Sequence, residues 1–237
     1  MLAQLRKIGP GIDHRAHYAD LSRLSEMKRV AEEIAASETR IDVLMNNAGA
    51  MFGRRFETED GLERTFALNH MAYFVVTHVL RERLLATPGA RIVNNASDAH
   101  RRATVDFSDL QFKTHYDFLK AYCKSKLYNI LFTRELARQL RNTGVVANCL
   151  HPGFVATRFG DGKGVGPAIF GILKHFALTP EKGAQTMIFL ASSKDAAAVS
   201  GQYFHKCVPK TPTPAAQDDE AAKRLWAESA GIAGIPG

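Results

Sequence analysis

Tyr122 and Lys126 stand four residues apart in the stretch FLKAYCKSKLYNILFTRELAR, Phe118 to Arg138. On a helix that spacing puts both side chains on one face, about one turn apart. An ammonium held beside a phenol favours the phenolate and lowers its pKa from about 10, making it a proton donor and acceptor nearer neutral pH. The chemistry this pair offers is acid–base transfer by Tyr122, tuned by Lys126. Tyr116 and Lys120 share the Y-x-x-x-K spacing, and spacing alone does not separate the two pairs.

Apolar periodicity supplies the elements that must position such a pair. A helical fragment, Leu2 to Ile8, precedes a Gly-Pro-Gly turn and an extended segment, His14 to Ala19. Ser22 is placed to cap a helix through about Ser37, where Leu24, Met27, Val30, Ala31 and Ile34 repeat at helical spacing. Strands are expected at Ile41 to Met45, Arg91 to Ala96, Val145 to Leu150 and Gly201 to His205. Between and after them come helices at Glu59 to Leu85, Phe118 to Arg138, Pro180 to about Ser192 capped by Thr179, and Glu220 to Ala230. Nearly continuous apolar strands alternating with helices predict a doubly wound α/β fold with a parallel sheet, in one domain spanning 1–237. In that architecture ligands sit outside the carboxyl ends of the strands. Asp20, Asn47 to Gly49, Ser97 and His151 to Thr157 all follow predicted strand ends, and Tyr122 and Lys126 enter beside them. This convergence on one rim marks an active site.

Composition excludes more than it selects. The net charge of +7 arises from 31 basic and 24 acidic residues that are interspersed, without a block of like charge. A solvated basic surface explains this better than a nucleic-acid partner. Cys123, Cys149 and Cys207 form no C-x-x-C pair, which predicts reduced thiols and a cytoplasmic setting. The histidines His70, His100, His115 and His151 share no metal-ligand spacing, so no metal is expected. The longest uncharged run, Thr65 to Leu80, is too short and polar to span a bilayer, which leaves membrane contact peripheral at most.

Taken in order, these motifs resemble the short-chain dehydrogenase/reductase family. The resemblance rests on Asp20-Leu21, Asn46-Asn47-Ala48-Gly49, Asn69, Ser97, Tyr122-Cys123-Lys124-Ser125-Lys126 and His151-Pro152-Gly153-Phe154-Val155-Ala156-Thr157. The phrase LFTRELARQL and the ending GQYF…AAKRLW are similar to its retinol dehydrogenase branch. Ser125 and Leu127 complete the family phrase around Tyr122, which selects it over Tyr116. The resemblance implies a Rossmann-like sheet and hydride transfer between a nicotinamide and a lipophilic alcohol or carbonyl. NADP is the cofactor the branch implies, with NAD as the alternative. Tyr122 would exchange the proton, Lys126 would tune it and hold the ribose, Ser97 would orient the carbonyl, and Asn69 would hold a relay water. Asn47, Ala48 and Gly49 would let backbone approach the cofactor, Asp20 would meet the adenine, and Pro152, Gly153, Val155 and Thr157 would border the nicotinamide and pyrophosphate. The expected partners are a small-molecule alcohol or carbonyl and, as a homodimer, a second copy of the chain.

One part of the family pattern is not met. Only 19 residues precede Asp20, whereas a βαβ unit takes about 30 or more. The expected sheet therefore lacks the first strand, the first helix with its glycine-rich turn, and the second strand, leaving apolar faces bare beside the Ile41 strand. This predicts a fragment or mis-started form of a dehydrogenase with impaired cofactor binding; the alternative is a native short form that acts as a non-enzymatic binding protein. Gly160, Gly164 and Gly166 have the phosphate-loop spacing but follow the wrong strand, and read as hinges. The apolar segment Val165 to Leu178 could lid a lipophilic substrate, or instead pack in the core or form a membrane-surface patch.

Overall fold

A computed structural model describes residues 2–153 and 179–236. The short helix α1 (Leu2–Ile8) buries no side chain. The segment expected to be extended, His14 to Ala19, is coil and joins no strand. Asp20 therefore does not follow a strand end in this sheet, a correction with a simple cause, since an extended segment becomes a strand only where another strand accepts its hydrogen bonds.

Helix α2 (Leu24–Ser37) starts two residues beyond the expected cap. Ser22 spends its N–H and hydroxyl on the Asp20 carboxylate, and the helix N-terminus is closed instead by Asp60, whose Oδ2 accepts from Leu24 N at 2.8 Å. Strand β1 (Val43–Asn46) pairs in parallel with β2 (Arg91–Asn95), which pairs in parallel with β3 (Val146–His151). A short parallel strand β4 (Tyr203–His205) and an antiparallel β5 (Val208–Pro209) complete the order β1-β2-β3-β4-β5. β1 is the outer strand, and its Val43 and Met45 are 36% and 40% exposed.

The helix expected from Glu59 begins only at Arg64. Gly61 sits at φ 72°, a left-handed value that favours glycine, and breaks the chain there. The Glu63 carboxylate then caps the helix by accepting from Thr65 N and Phe66 N. From there the chain runs through α3 (Arg64–Phe66), a π-helical turn from Ala67 to Met71, α4 (Ala72–Val79) and α5 (Arg81–Leu85). Helix α6 (Phe118–Gln139) is started by Asp117, which accepts from Leu119 N and Lys120 N. Thr179 caps α7 (Pro180–Ser192), and α8 (Asp219–Ala233) is longer than expected because Asp218 caps it and Gly234 ends it in the left-handed conformation.

The main core joins α2, α4, α6 and α8 around Phe74, Phe132, Tyr128 and Trp226. Trp226 stacks on Phe132 at 5.8 Å and meets Phe74 edge-on at 4.8 Å, so α8 closes over α4 and α6. A second cluster, Val93, Leu150, Leu190 and Phe204, seats α7 on the opposite face. Helices on both faces of a mostly parallel sheet make this the expected Rossmann-like α/β fold. Among the described residues no helix is long and apolar enough to cross a membrane.

Candidate active site

Helix α6 carries a polar stripe at helical spacing, Tyr122, Lys126, Asn129 and Thr133, which meets the end of β2. Lys126 Nζ and Asn129 Nδ2 both donate to Asn95 O, at 3.1 and 3.2 Å. One turn further on, Asn94 Nδ2 donates to Thr133 Oγ1 at 2.9 Å. Asn94 Oδ1 accepts from Asn46 Nδ2 at 2.8 Å, which carries the network to the end of β1. These buried amides cost desolvation, which is offset where each NH₂ donor finds an acceptor, while Asn129 Oδ1 has no hydrogen-bond partner among the described residues. The consequence is a fixed distance between α6 and the strand ends.

Asn69 ties in the third element. It lies in the π-helical turn, fully buried, where the extra residue turns its amide towards the loop after β1. Its Oδ1 accepts from Ala50 N, and its Nδ2 donates to Ala50 O and to Ser125 Oγ, all at 2.9 to 3.0 Å. Gly49 lies under this contact. A Cβ there would stand 3.2 Å from Asn69 Oδ1 and 3.5 Å from Lys126 Nζ, so glycine leaves open a small space walled by an amide and an ammonium. Asn47 is held at the rim by Asn95 Nδ2, which donates to its Oδ1 at 2.9 Å, and Ala48 is exposed beside it.

Ser97 ends the loop after β2 in extended backbone, and its Oγ accepts from Ala99 N at 3.2 Å. Its side chain also hydrogen-bonds Tyr122. Lys126 Nζ lies 5.6 Å from the centre of the Tyr122 ring. Burial pushes the phenol up to about 12, against which the Ser97 bond, favouring the phenolate, acts only in part. Burial likewise pushes the Lys126 ammonium, only 3% exposed, down to about 8. The lowered phenol expected from the sequence is thus corrected. The lysine is near the ring but aimed at Asn95 O, and desolvation of both groups outweighs their attraction.

Tyr116 is placed differently. Its hydroxyl donates to Phe52 O at 2.8 Å beside Glu63, and Lys120 is exposed. Asp20 is exposed, with its carboxylate engaged by Ser22 and held below the usual range by those bonds. Pro152 and Gly153 follow β3, with Gly153 at φ 89°. Val155 and Thr157 lie outside the described residues, as do Gly160, Gly164, Gly166 and the segment Val165 to Leu178. The structure therefore brings together Gly49, Asn69, Ser97, Tyr122 and Lys126.

Three residues join that group without being marked as site residues by the sequence. Asn95 supplies the carbonyl that holds Lys126, and Asn129 shares it. The signal for Asn129 is its position seven residues after Tyr122, on the same helix face. His100 accepts from Thr213 N and contacts Ser97 O; no local signal marks it, because Thr213 is far along the chain.

The chain also has recognisable relatives. Residues 1–164 match the family described as short chain dehydrogenase. Human retinol dehydrogenase 13 is 40% identical over 236 residues, covering 96% of this chain and 71% of that protein. Mouse retinol dehydrogenase 14 is 39% identical over 220 residues, covering 91% and 66%. Among solved structures, a protein of unassigned function from Mycobacterium paratuberculosis superposes with a TM-score of 0.75 at 25% identity, over 99% of this chain and 82% of that one. The NADP active-site complex of Pseudomonas aeruginosa RhlG gives a TM-score of 0.65 at 25% identity, over 86% and 78%. The chain belongs to the short-chain dehydrogenase family of oxidoreductases.

Proposed function

We propose that this chain interconverts a lipophilic alcohol and its carbonyl using NADP(H), with Tyr122 as the acid/base. The observation that carries the reading is the meeting of a phenol, a hydroxyl and a buried ammonium at the strand ends: Tyr122 hydrogen-bonded by Ser97, with Lys126 alongside. The relatives' names supply the substrate class, and the RhlG complex supplies the choice of NADP.

The residues fit the ribose end of such a cofactor. Lys126 gives one of its three hydrogens to Asn95 O, its burial favours any ligand oxygen that can accept another, and Gly49 leaves room beside it. NADPH, when bound, supplies the hydride. With substrate bound, Ser97 turns its one hydroxyl hydrogen from Tyr122 to the substrate oxygen and fixes its orientation, which is the positioning contribution to rate. Tyr122 gives its proton to that oxygen as negative charge develops there. A phenol pushed up to about 12 is fully protonated at neutral pH, so the resting site is set for reduction. Lys126, still largely charged below about 8, stabilises the phenolate left behind. Asn69 holds the Gly49 loop and α6 together, and a water bridging its carbonyl oxygen to Lys126 Nζ returns the proton.

The test is NADPH oxidation at 340 nm with decanal, all-trans-retinal and a steroid ketone, run against NADH. Tyr122→Phe is expected to lower turnover by about 10²- to 10⁴-fold, while Tyr116→Phe, which loses the bond to Phe52 O and longer contacts with Glu63 and Thr65, stays near wild type. The reverse pattern sinks the assignment.

A further inference from the structure

Resting on the reading above, we propose that His100 is a positioning residue: its ring fixes Ser97 against Tyr122 and links that serine to the C-terminal segment 210–213. His100 is fully buried, and both ring nitrogens are engaged. Nδ1 lies 2.7 Å from Ser97 O. A carbonyl oxygen only accepts, so Nδ1 carries the hydrogen. Nε2 lies 3.3 Å from Thr213 N, a backbone donor, so Nε2 is bare. One neutral tautomer satisfies both contacts. A second proton would have to sit on Nε2, facing the Thr213 N–H, and burial opposes it further.

The surroundings show why the ring is rigid. Tyr203 packs edge-on against it at 5.1 Å, and the Tyr203 hydroxyl donates to Asp98 Oδ1 at 2.8 Å. Asp98 also pairs with Arg101 and Lys210, and Arg101 Nη2 reaches Thr211 O. The turn after Ser97 and segment 210–213 are thus clamped at their edges by charges and at their centre by one imidazole. Ser97 O is held by the Nδ1–H of the His100 ring and by the His100 backbone N–H, at 2.7 and 3.1 Å, while the Ser97 side chain meets Ala99 N and Tyr122. Loosening the ring would let the serine move relative to the phenol, and a displacement of about 1 Å costs about 100-fold in rate when it falls on a reacting group.

The first measurement needs no turnover. In ¹⁵N-histidine-labelled protein, His100 is expected as the neutral Nδ1–H tautomer at pH 7; an Nε2–H tautomer would overturn the inference. The second uses NADPH-dependent reduction of decanal and all-trans-retinal. His100→Phe keeps a ring against Tyr203 but neither polar contact, and should lower kcat about 10- to 100-fold with KM for NADPH within about twofold. His100→Asn, whose amide nitrogen reaches the place of Nδ1, should recover most of kcat. Ser97→Ala combined with His100→Phe should be no slower than Ser97→Ala alone. A His100→Asn enzyme no faster than His100→Phe, or a double variant whose loss is the product of the two single losses, overturns this inference alone. A wild type inactive on both substrates, or an active Tyr122→Phe, overturns the proposed function and this inference with it.

Discussion

The burial of His70 should destabilise the protein at mildly acidic pH, and the size of the effect is set by its surroundings. The ring is buried among Phe66, Tyr128, Phe132 and Phe74, with ring centres 5.3 to 6.4 Å away. Ser229 Oγ donates to Leu225 O, so it must accept from His70 Nε2, at 2.8 Å. Nδ1 has no hydrogen-bond partner among the described residues. An imidazolium would place an unpaired charge among aromatic rings, and burial accordingly pushes the pKa down to about 3. In the unfolded chain it returns to about 6.5.

Linkage gives the sign. Below about 6.5 the unfolded chain binds a proton that the native protein refuses until about 3, so stability is fully present above 6.5 and falls with pH through that window. At 1.36 kcal/mol per unit, the loss at pH 4.5 is about 3 kcal/mol. His70→Phe removes this titration at the cost of one hydrogen bond, worth about 1 kcal/mol at neutral pH. The variant should therefore be slightly less stable than wild type at pH 7.5 and more stable, by about 2 kcal/mol, at pH 4.5. Urea unfolding followed by circular dichroism at both pH values gives the difference directly, and other titrating groups cancel in it. A stability difference independent of pH would refute the reasoning.

Three further outcomes are expected. Lys126→Met should abolish NADPH-dependent reduction yet raise the melting temperature at pH 7, because it removes a buried ammonium while Asn129 still donates to Asn95 O; a loss of stability would contradict the site's electrostatics. Asn69→Ala strips the partners from Ala50 N and Ala50 O, at about 1 to 3 kcal/mol for each polar group left unpaired. Its melting temperature should fall, and an unchanged value would mean water replaces the amide. Met45→Lys places a charge on the outer strand beside exposed Val43 and should reduce self-association in static light scattering at high protein concentration; scattering equal to wild type would show that β1 does not recruit other chains.

The sequence made most elements legible where the signal was local. Thr179 with Pro180 located α7 to the residue, and the phrase around Tyr122 located α6. What it hid was set by partners far along the chain. The cap of α2 comes from Asp60, so Ser22 beside the helix was misleading. The π-helical turn at Asn69 sits inside a run whose apolar spacing reads as continuous helix, since one extra residue barely disturbs periodicity. The candidate site was visible as residue types at strand ends, but the direction of its electrostatics was not. Spacing shows that Lys126 neighbours Tyr122; only burial shows that desolvation exceeds their attraction.

That desolvation is where fold and chemistry pull in opposite directions. Lys126 is held at about 8 against about 10.4 in an unfolded chain. The unfolded chain therefore holds more protons between those values, so stability rises with pH across that window, and at neutral pH the charged lysine costs about 3 kcal/mol. The neighbouring network through Asn46, Asn94 and Thr133 adds no comparable gain, because each of its bonds replaces one that water would have made. Apolar residues of similar volume would pack the same space more cheaply. What they could not do is fix Asn95 O, and through it an ammonium, beside a phenol whose proton is retained at neutral pH. The aromatic core around Phe74, Phe132 and Trp226 supplies the stability that this arrangement consumes. Activity and stability should therefore trade against each other most steeply at Lys126, where one side chain carries both the cost and the proposed function.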